Sequence, residues 1–500
     1  MGRAKVIVSG VSWTIIQNVV QVLYGIVSVP FLLNYFGKEQ YGLIGLALSV
    51  NVYIHLLDMG MTNSNVKFFS EFIAKGDKIK EQALFRLTHL FYLIIGLINS
   101  VILFGISFFI KDLFKVTPEQ VITLRNLLWI LALNATFSWI SSAFDQYLQS
   151  KELISWSKKR TTLLKILQFV ILVATVIFHF SIEVYFAFYI FLATLILPLS
   201  ILKIKRVSPE LSISVGYDSE VFHMVVPYAL SLLSFSIFQF LALNARPLFL
   251  GSFSGPASVA DYNIMATVAS VVTVISSSFL QVLLPIMTKL KEKGDDYSVN
   301  RVIFTGTKYA NILLSLVIFL LIVCLNELLT LYVGKEYTVL STWLSVWLLT
   351  LLLAHRNVMS SLVFTEKKLV SVSIMGAAAM IVAFSVYSIC IPLFGVGGVV
   401  LGFLAHELVH TLFYYCYFFP KRIHLDAFAI FYQSVMPTWV VLGILTLLFR
   451  ILRCDNCAVF VSLLIRGGLM FVIAILSIRY VLLNNEDLAF IRGFFYRKEQ

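Results

Sequence analysis

Few residues in this 500-residue chain have the type and spacing to do chemistry. The most distinctive run is His406-Glu407-Leu408-Val409-His410. On a helix, an HExxH puts two imidazoles one turn apart, with a carboxylate able to serve as the general base of a zinc protease. This one falls inside an apolar stretch, as in an intramembrane site-2-type protease. No Asn-Pro-Asp-Gly-like segment offers a third ligand, and Leu57-Asp58-Met59-Gly60 is a poor substitute. A protonatable or packing polar cluster is the competing reading. Cys454 and Cys457 form a lone CxxC without the second pair that a zinc site needs, so no metal site is assigned. There is no Asp-x-Asp for a nucleotide-sugar transferase and no Walker A for an ATPase. Gly395, Gly397, Gly398 and Gly402 do not follow a strand; they suit a tight turn and close helix packing.

The remaining candidates are polar side chains inside apolar runs. Gln17, Gln21 and Tyr24 recur at i, i+4 and i+7, which puts them on one helix face, and Asn51, His55 and Asp58 repeat that spacing. Ser236, Gln239 and Arg246 follow one side of a later helix. Arg356 and Arg466 also lie within apolar stretches, whereas Arg125 and Asp261 sit near helix ends, where they suit either a gate or plain interfacial solvation. A charge at bilayer depth costs roughly 2.5–3.5 kcal/mol on insertion scales, so such residues face a wet cavity or a partner. For the amides, hydrogen bonding between helices is the structural alternative to lining a cavity. Arg356 and Arg466 have the further alternative of snorkelling to the interface.

The elements that carry these residues are membrane spans. Hydrophobic residues make up 59% of the chain and charged ones 13%, with mean hydropathy +0.91. A soluble domain carries about 25% charged residues, so a water-soluble fold is excluded. A crossing helix needs about 20 apolar residues. Apolar windows punctuated by charge and Gly/Pro clusters place about fourteen helices, near 9–35, 41–64, 86–110, 120–148, 161–180, 183–202, 222–247, 257–286, 303–326, 338–363, 370–392, 397–418, 429–450 and 457–483. The first is read as a retained helix, because it outruns a signal peptide and lacks a cleavage site.

The net charge of +12 is scattered through loops and forms no single patch, which argues for lipid headgroups and against nucleic acid as the partner. Of the 38 Lys and Arg residues, about 29 fall on the side of both termini and about 9 on the other, so the termini are expected to be cytoplasmic.

An internal repeat organises the spans. Gly37 matches Gly255, and Lys75-Gly76-Asp77 matches Lys293-Gly294-Asp295, both at an offset of 218 residues. Gln149 to Ser155 parallels Thr365 to Ser371 at an offset of 216. The expected organisation is therefore an all-α integral membrane protein with two six-helix lobes around a central cavity, residues 1–216 and 217–425, and an extra helix pair in 426–500. Parallel halves of this kind are a transporter architecture.

The stretch Val29-Pro30-Phe31-Leu32-Leu33-Asn34-Tyr35-Phe36-Gly37-Lys38-Glu39-Gln40-Tyr41-Gly42-Leu43, with Leu57-Asp58-Met59-Gly60-Met61 and Val66-Lys67-Phe68-Phe69-Ser70-Glu71, resembles the Wzx-type polysaccharide-unit flippases. These belong to the superfamily that also holds multidrug/toxin extruders and lipid II flippases. Similarity returns at Asn244-Ala245-Arg246-Pro247-Leu248-Phe249-Leu250-Gly251 and at Phe394-Gly395-Val396-Gly397-Gly398. The resemblance implies a fourteen-helix transporter, not an enzyme, in the bacterial inner membrane. It would flip an undecaprenyl-pyrophosphate-linked oligosaccharide by alternating access for O-antigen or capsule synthesis. The implied partners are that substrate and membrane lipids, with a polysaccharide polymerase and chain-length regulator nearby. No cofactor is expected beyond a coupling ion, H+ or Na+. A cation-coupled multidrug exporter and a lipid II flippase are the alternatives within the superfamily.

At an effective dielectric near 20, an arginine 4 Å from a phosphate charge gains about 4 kcal/mol. Arg246 and Arg356 thus become the expected anion-receiving residues of a cavity also lined by Gln17, Gln21, Asn51, His55, Asp58 and Gln239. Where an acidic residue would be expected before Arg246, this chain has Asn244. The purified protein is expected to carry far less than one zinc per chain by elemental analysis; stoichiometric zinc would reinstate the protease.

Overall fold

A computed structural model describes residues 3–292, 296–360, 362, 370–451, 458–484 and 487, and the side chains of a few of these are left out of account. Lys293-Gly294-Asp295, residues 365–369 of the third repeat match and the Cys454/Cys457 pair lie outside the described residues. Among those described there is no strand, and twelve helices are long and apolar enough to cross a membrane. The bent pair Ser219–Ser234 and Ile237–Asn244 makes a thirteenth. The run Lys38–Ile54 and Met59–Lys75, joined through a 3-10 turn at His55–Asp58, corresponds to the remaining expected span. The turn divides the run into two helices of 17 residues each, and neither is long enough to cross alone.

Helix boundaries follow local chemistry. Gly37 and Gly255 both adopt φ near +80° (83° and 82°), and each is followed by a helix start. A side chain there would strain the backbone, so the two landmarks of the repeat share one conformation. Thr117 and Gln120 close a capping box in front of Pro118–Ser150, and the Asp77, Ser181 and Asp218 side chains cap three further helices.

The chain forms two compact units by contact. The first comprises Met1–Thr267 with Val370–Gly402 and the second Val268–Leu369 with Phe403–Gln500. This grouping by contact follows a different line from the division at 216/217 read from the repeat. In the first unit, Lys78–Ile106 packs along Pro118–Ser150, Arg3–Phe36 along Ile154–Ile177, and Ser219–Asn244 against both Met59–Lys75 and Val370–Phe394. In the second, Asp296–Val323 packs against Met436–Ile451 and Val459–Ser477. There Asn311 donates to the carbonyls of Ser434 (3.4 Å) and Val435 (3.3 Å) and accepts from Trp439 Nε1 at 2.8 Å.

Large apolar side chains on the outer helix faces stay exposed, among them Val101 at 71%, Leu133 at 69% and Ile389 at 65%, as a hydrocarbon solvent requires. Polar groups turn inward instead. Glu81 is 2% exposed; its carboxylate meets the Lys151 ammonium at 2.8 Å and accepts at 2.6 Å from the hydroxyl of Tyr147, whose ring packs against Phe69 and Phe85.

Close backbone approach sets one contact of the first unit. A Cβ built on Gly42 would lie 1.9 Å from the Pro256 carbonyl oxygen, and backbone cannot swing aside. Gly42→Ala is expected to cost about 1–3 kcal/mol by overpacking, read as a lower melting temperature in detergent. Gly443→Ala, with nothing within 4 Å of the new methyl, serves as the neutral control.

Candidate functional site

The polar stripe of the first helix faces a stripe of lysines. Lys158 Nζ donates to Gln17 Oε1 at 3.4 Å, Lys159 lies over the Trp13 ring at 4.9 Å, and Lys165 lies 5.0 Å from the centre of the Tyr24 ring and 6.0 Å from that of Tyr189. Gln21 is exposed on its helix. Lys165 sits 11 residues into Ile154–Ile177, about 16 Å along the axis. It is half-buried, and among the described residues no carboxylate comes within ion-pair distance of it. Sequence reasoning missed Lys165 because it began this span at 161, which left the lysine at an interfacial end. The signal was nonetheless present: Lys158, Thr162 and Lys165 repeat the i, i+4, i+7 spacing of Gln17, Gln21 and Tyr24.

Asn51, His55 and Asp58 are drawn into a buried network within the first unit. Asn51 Oδ1 accepts from Asn99 Nδ2 at 3.1 Å, and the His55 ring stacks on Trp139 with centroids 4.4 Å apart. Asp58 Oδ1 accepts from Thr62 Oγ1 at 2.9 Å and from the Tyr92 hydroxyl. Gln146 Nε2 donates to Thr62 Oγ1 at 2.9 Å and to the Tyr92 oxygen, while its carbonyl accepts from Asn65 Nδ2 at 2.9 Å. These bonds tie the helices together, while Asn65 Oδ1, Asn99 Oδ1 and Trp139 Nε1 stay buried without a hydrogen-bond partner among the described residues. Asp58 has no basic side chain in ion-pair range among the described residues. Asp145, the other intramembrane aspartate of the first half, instead pairs with Arg160.

Arg246 opens the short helix Arg246–Phe253 and is 6% exposed. Its Nε donates to the Tyr387 hydroxyl at 3.3 Å, that hydroxyl donates to the Ala242 carbonyl at 3.3 Å, and the phenol of Tyr262 also interacts with the guanidinium. Gly402 makes room for Tyr387, since a Cβ there would lie 2.2 Å from the ring. The Asn244 amide donates to the Phe240 carbonyl at 2.9 Å, so phenols stand around Arg246 where the resemblance implied an acid. Asp261 pairs with Lys38 at 2.7 Å, and Arg125 is half-buried in Pro118–Ser150 with its Nε unpartnered among the described residues. Gln239 is exposed on Ser219–Asn244; the Ser236 side chain lies outside the described groups.

Arg356 lies in the second unit and accounts for the HExxH. It pairs with Glu407 Oε2 at 2.5 Å and donates to Thr411 Oγ1 at 2.9 Å, while His406 Nδ1 lies 3.2 Å from Glu407 Oε1. The rings of His406 and His410 are 4.4 Å apart, and the Nε2 of each is buried with no hydrogen-bond partner among the described residues. Glu407, the base a protease would need, is thus the counter-ion of an arginine. Among the described residues no group of three or more His, Cys, Asp or Glu could hold a metal.

These spans define a multi-pass α-helical membrane protein. A lipid II flippase, MurJ, in an inward closed conformation superposes with a TM-score of 0.69 at 13% identity, covering 94% of this chain and 98% of its own. An inward-facing multidrug resistance transporter of the MATE family, in the MOP superfamily, gives 0.62 at 16% identity, covering 78% and 92%. The MATE multidrug transporter DinF-BH gives 0.59 at 17%, covering 84% and 96%. No curated protein matches. The family described as "Polysaccharide biosynthesis protein" matches residues 7–291, more than half of the chain, and the chain belongs to that family.

The Arg356–Glu407 pair is largely buried, with side chains 8% and 13% exposed. Removing one partner leaves an uncompensated charge, so Glu407→Gln is expected to cost about 3 kcal/mol in detergent unfolding. Combining Arg356→Met with Glu407→Leu should cost less than either single change.

Proposed function

We propose that the protein is a flippase carrying undecaprenyl-pyrophosphate-linked oligosaccharide units from the cytoplasmic to the periplasmic leaflet of a bacterial inner membrane, for O-antigen or capsule synthesis. It would work by alternating access, without covalent chemistry and with both termini cytoplasmic. The observation that carries this reading is Lys165, a cation at mid-span with aromatic neighbours and no carboxylate among the described residues. Holding it there costs roughly 2.5–3.5 kcal/mol. A pyrophosphate passing at 4 Å would offset this with about 4 kcal/mol per charge pair. Lys158 and Arg246 offer further positive charge in the same unit. Family membership supports a lipid-linked substrate.

Because burial of Lys165 is unfavourable, Lys165→Met should raise the melting temperature while lowering surface polysaccharide about tenfold or more. Lys165→Arg should retain output. Arg246→Ala should lower transport without lowering membrane insertion. Deletion in the native cell should accumulate undecaprenyl-linked repeat units and abolish surface polysaccharide; unchanged levels of both would refute the flippase.

A cation-coupled multidrug exporter is the second reading. It is favoured by Asp58, a carboxylate held by Tyr92 and Thr62 without a basic partner among the described residues. Dye efflux from vesicles driven by a proton or sodium gradient, and lost in Asp58→Asn, would support it against the first.

A further inference from the structure

A cavity of about 390 Å³ lies within the second unit, lined by the short helix Leu325–Tyr332 and by four helix ends: the end of Asp296–Val323, the start of Ser341–Leu351, the end of Met436–Ile451 and the start of Val459–Ser477. Its walls include Asn326, Glu327, Thr342, Arg450, Ser462 and Arg466. One arginine is neutralised in place: Arg466 pairs with Glu327 through Nη1 and donates from Nη2 to the Phe449 carbonyl at 3.1 Å, while Ser462 Oγ donates to Glu327 at 3.2 Å. Arg450 is different. It donates from one Nη to Ser345 Oγ at 3.1 Å, and among the described residues no carboxylate pairs with it. Among the described residues the cavity wall therefore carries one net positive charge, with guanidinium donors of Arg450 left over. Exposed apolar side chains flank its position in the sequence, with Leu447, Leu448, Ile451 and Phe460 between 51% and 79% exposed.

We propose that this cavity is a binding site for a phosphate-bearing headgroup, with Arg450 as its anion ligand and the Arg466–Glu327 pair as its floor. A guanidinium matches phosphate oxygens by two parallel hydrogen bonds. The volume lies within the ordinary range of ligand pockets. The exposed apolar residues beside it give the acyl chains of a phospholipid an apolar surface to follow. The site is separate from the lysine stripe and from Arg246, and its occupancy does not depend on what the protein transports.

The test uses the full chain in detergent. Native mass spectrometry with phosphatidylglycerol and with phosphatidylcholine measures lipid binding, and melting temperature with added inorganic phosphate measures the bare anion. Wild type is expected to retain phosphatidylglycerol, and Arg450→Gln to weaken that binding about tenfold, the loss of one charge-assisted contact. Arg450→Lys should recover part of it. Arg466→Gln alone would strand Glu327, so the floor is tested in the combination Arg466→Gln with Glu327→Gln, whose melting temperature reports folding separately. Phosphatidylglycerol binding that depends on Arg450 supports a lipid source. Stabilisation by inorganic phosphate alone, lost in Arg450→Gln, supports the same site with a soluble source. Equal binding of all probes by wild type and Arg450→Gln overturns the proposal.

Discussion

An apolar slab solvates neither charge nor unpaired backbone, and this cost governs where each polar residue of the chain can stand. Most intramembrane charges are matched locally. Arg160 meets Asp145, Arg356 meets Glu407, and Arg466 meets Glu327. Glu81 is held between lysines and a tyrosine hydroxyl. Against that background, the groups without a charged partner among the described residues stand out, because packing alone does not account for holding them there. Lys165 and Asp58 are two such groups in the first unit, and Arg125 and Lys158 likewise have no charged partner there among the described residues.

The same constraint shapes the helices. The run from Lys38 to Lys75 is interrupted by a 3-10 turn where Asn51, His55 and Asp58 turn toward Asn99, Trp139 and Tyr92. A second break precedes Arg246 and presents the guanidinium to phenols. In hydrocarbon, broken helices are tolerated where neighbours re-satisfy the freed groups, which is why the breaks coincide with polar clusters. Small residues permit the required approach, Gly42 against the Pro256 backbone and Gly402 against the Tyr387 ring.

The solved structures with this fold carry different cargoes in their descriptions, a lipid II flippase and multidrug transporters, at identities of 13–17%. Fold alone therefore does not select the substrate. A wall of lysines at positions 158, 159 and 165 suits an anionic cargo, whereas the Asp58 network suits a coupling cation.

Hydropathy and punctuation in the sequence were enough to determine the membrane class and the approximate number of spans, and the residues of the first eighty positions carried the family resemblance. Periodicity alone identified the Gln17/Gln21/Tyr24 and Asn51/His55/Asp58 faces. Tertiary structure decided which charges neutralise one another. Glu407 reads as a protease base in sequence and as the partner of Arg356 in space, 51 residues away. Lys165 reads as interfacial until the helix is seen to begin at Ile154. The physical reason is that hydrophobicity is a property of local composition, legible along the chain, whereas the fate of a buried charge depends on what the fold brings to within a few ångströms of it.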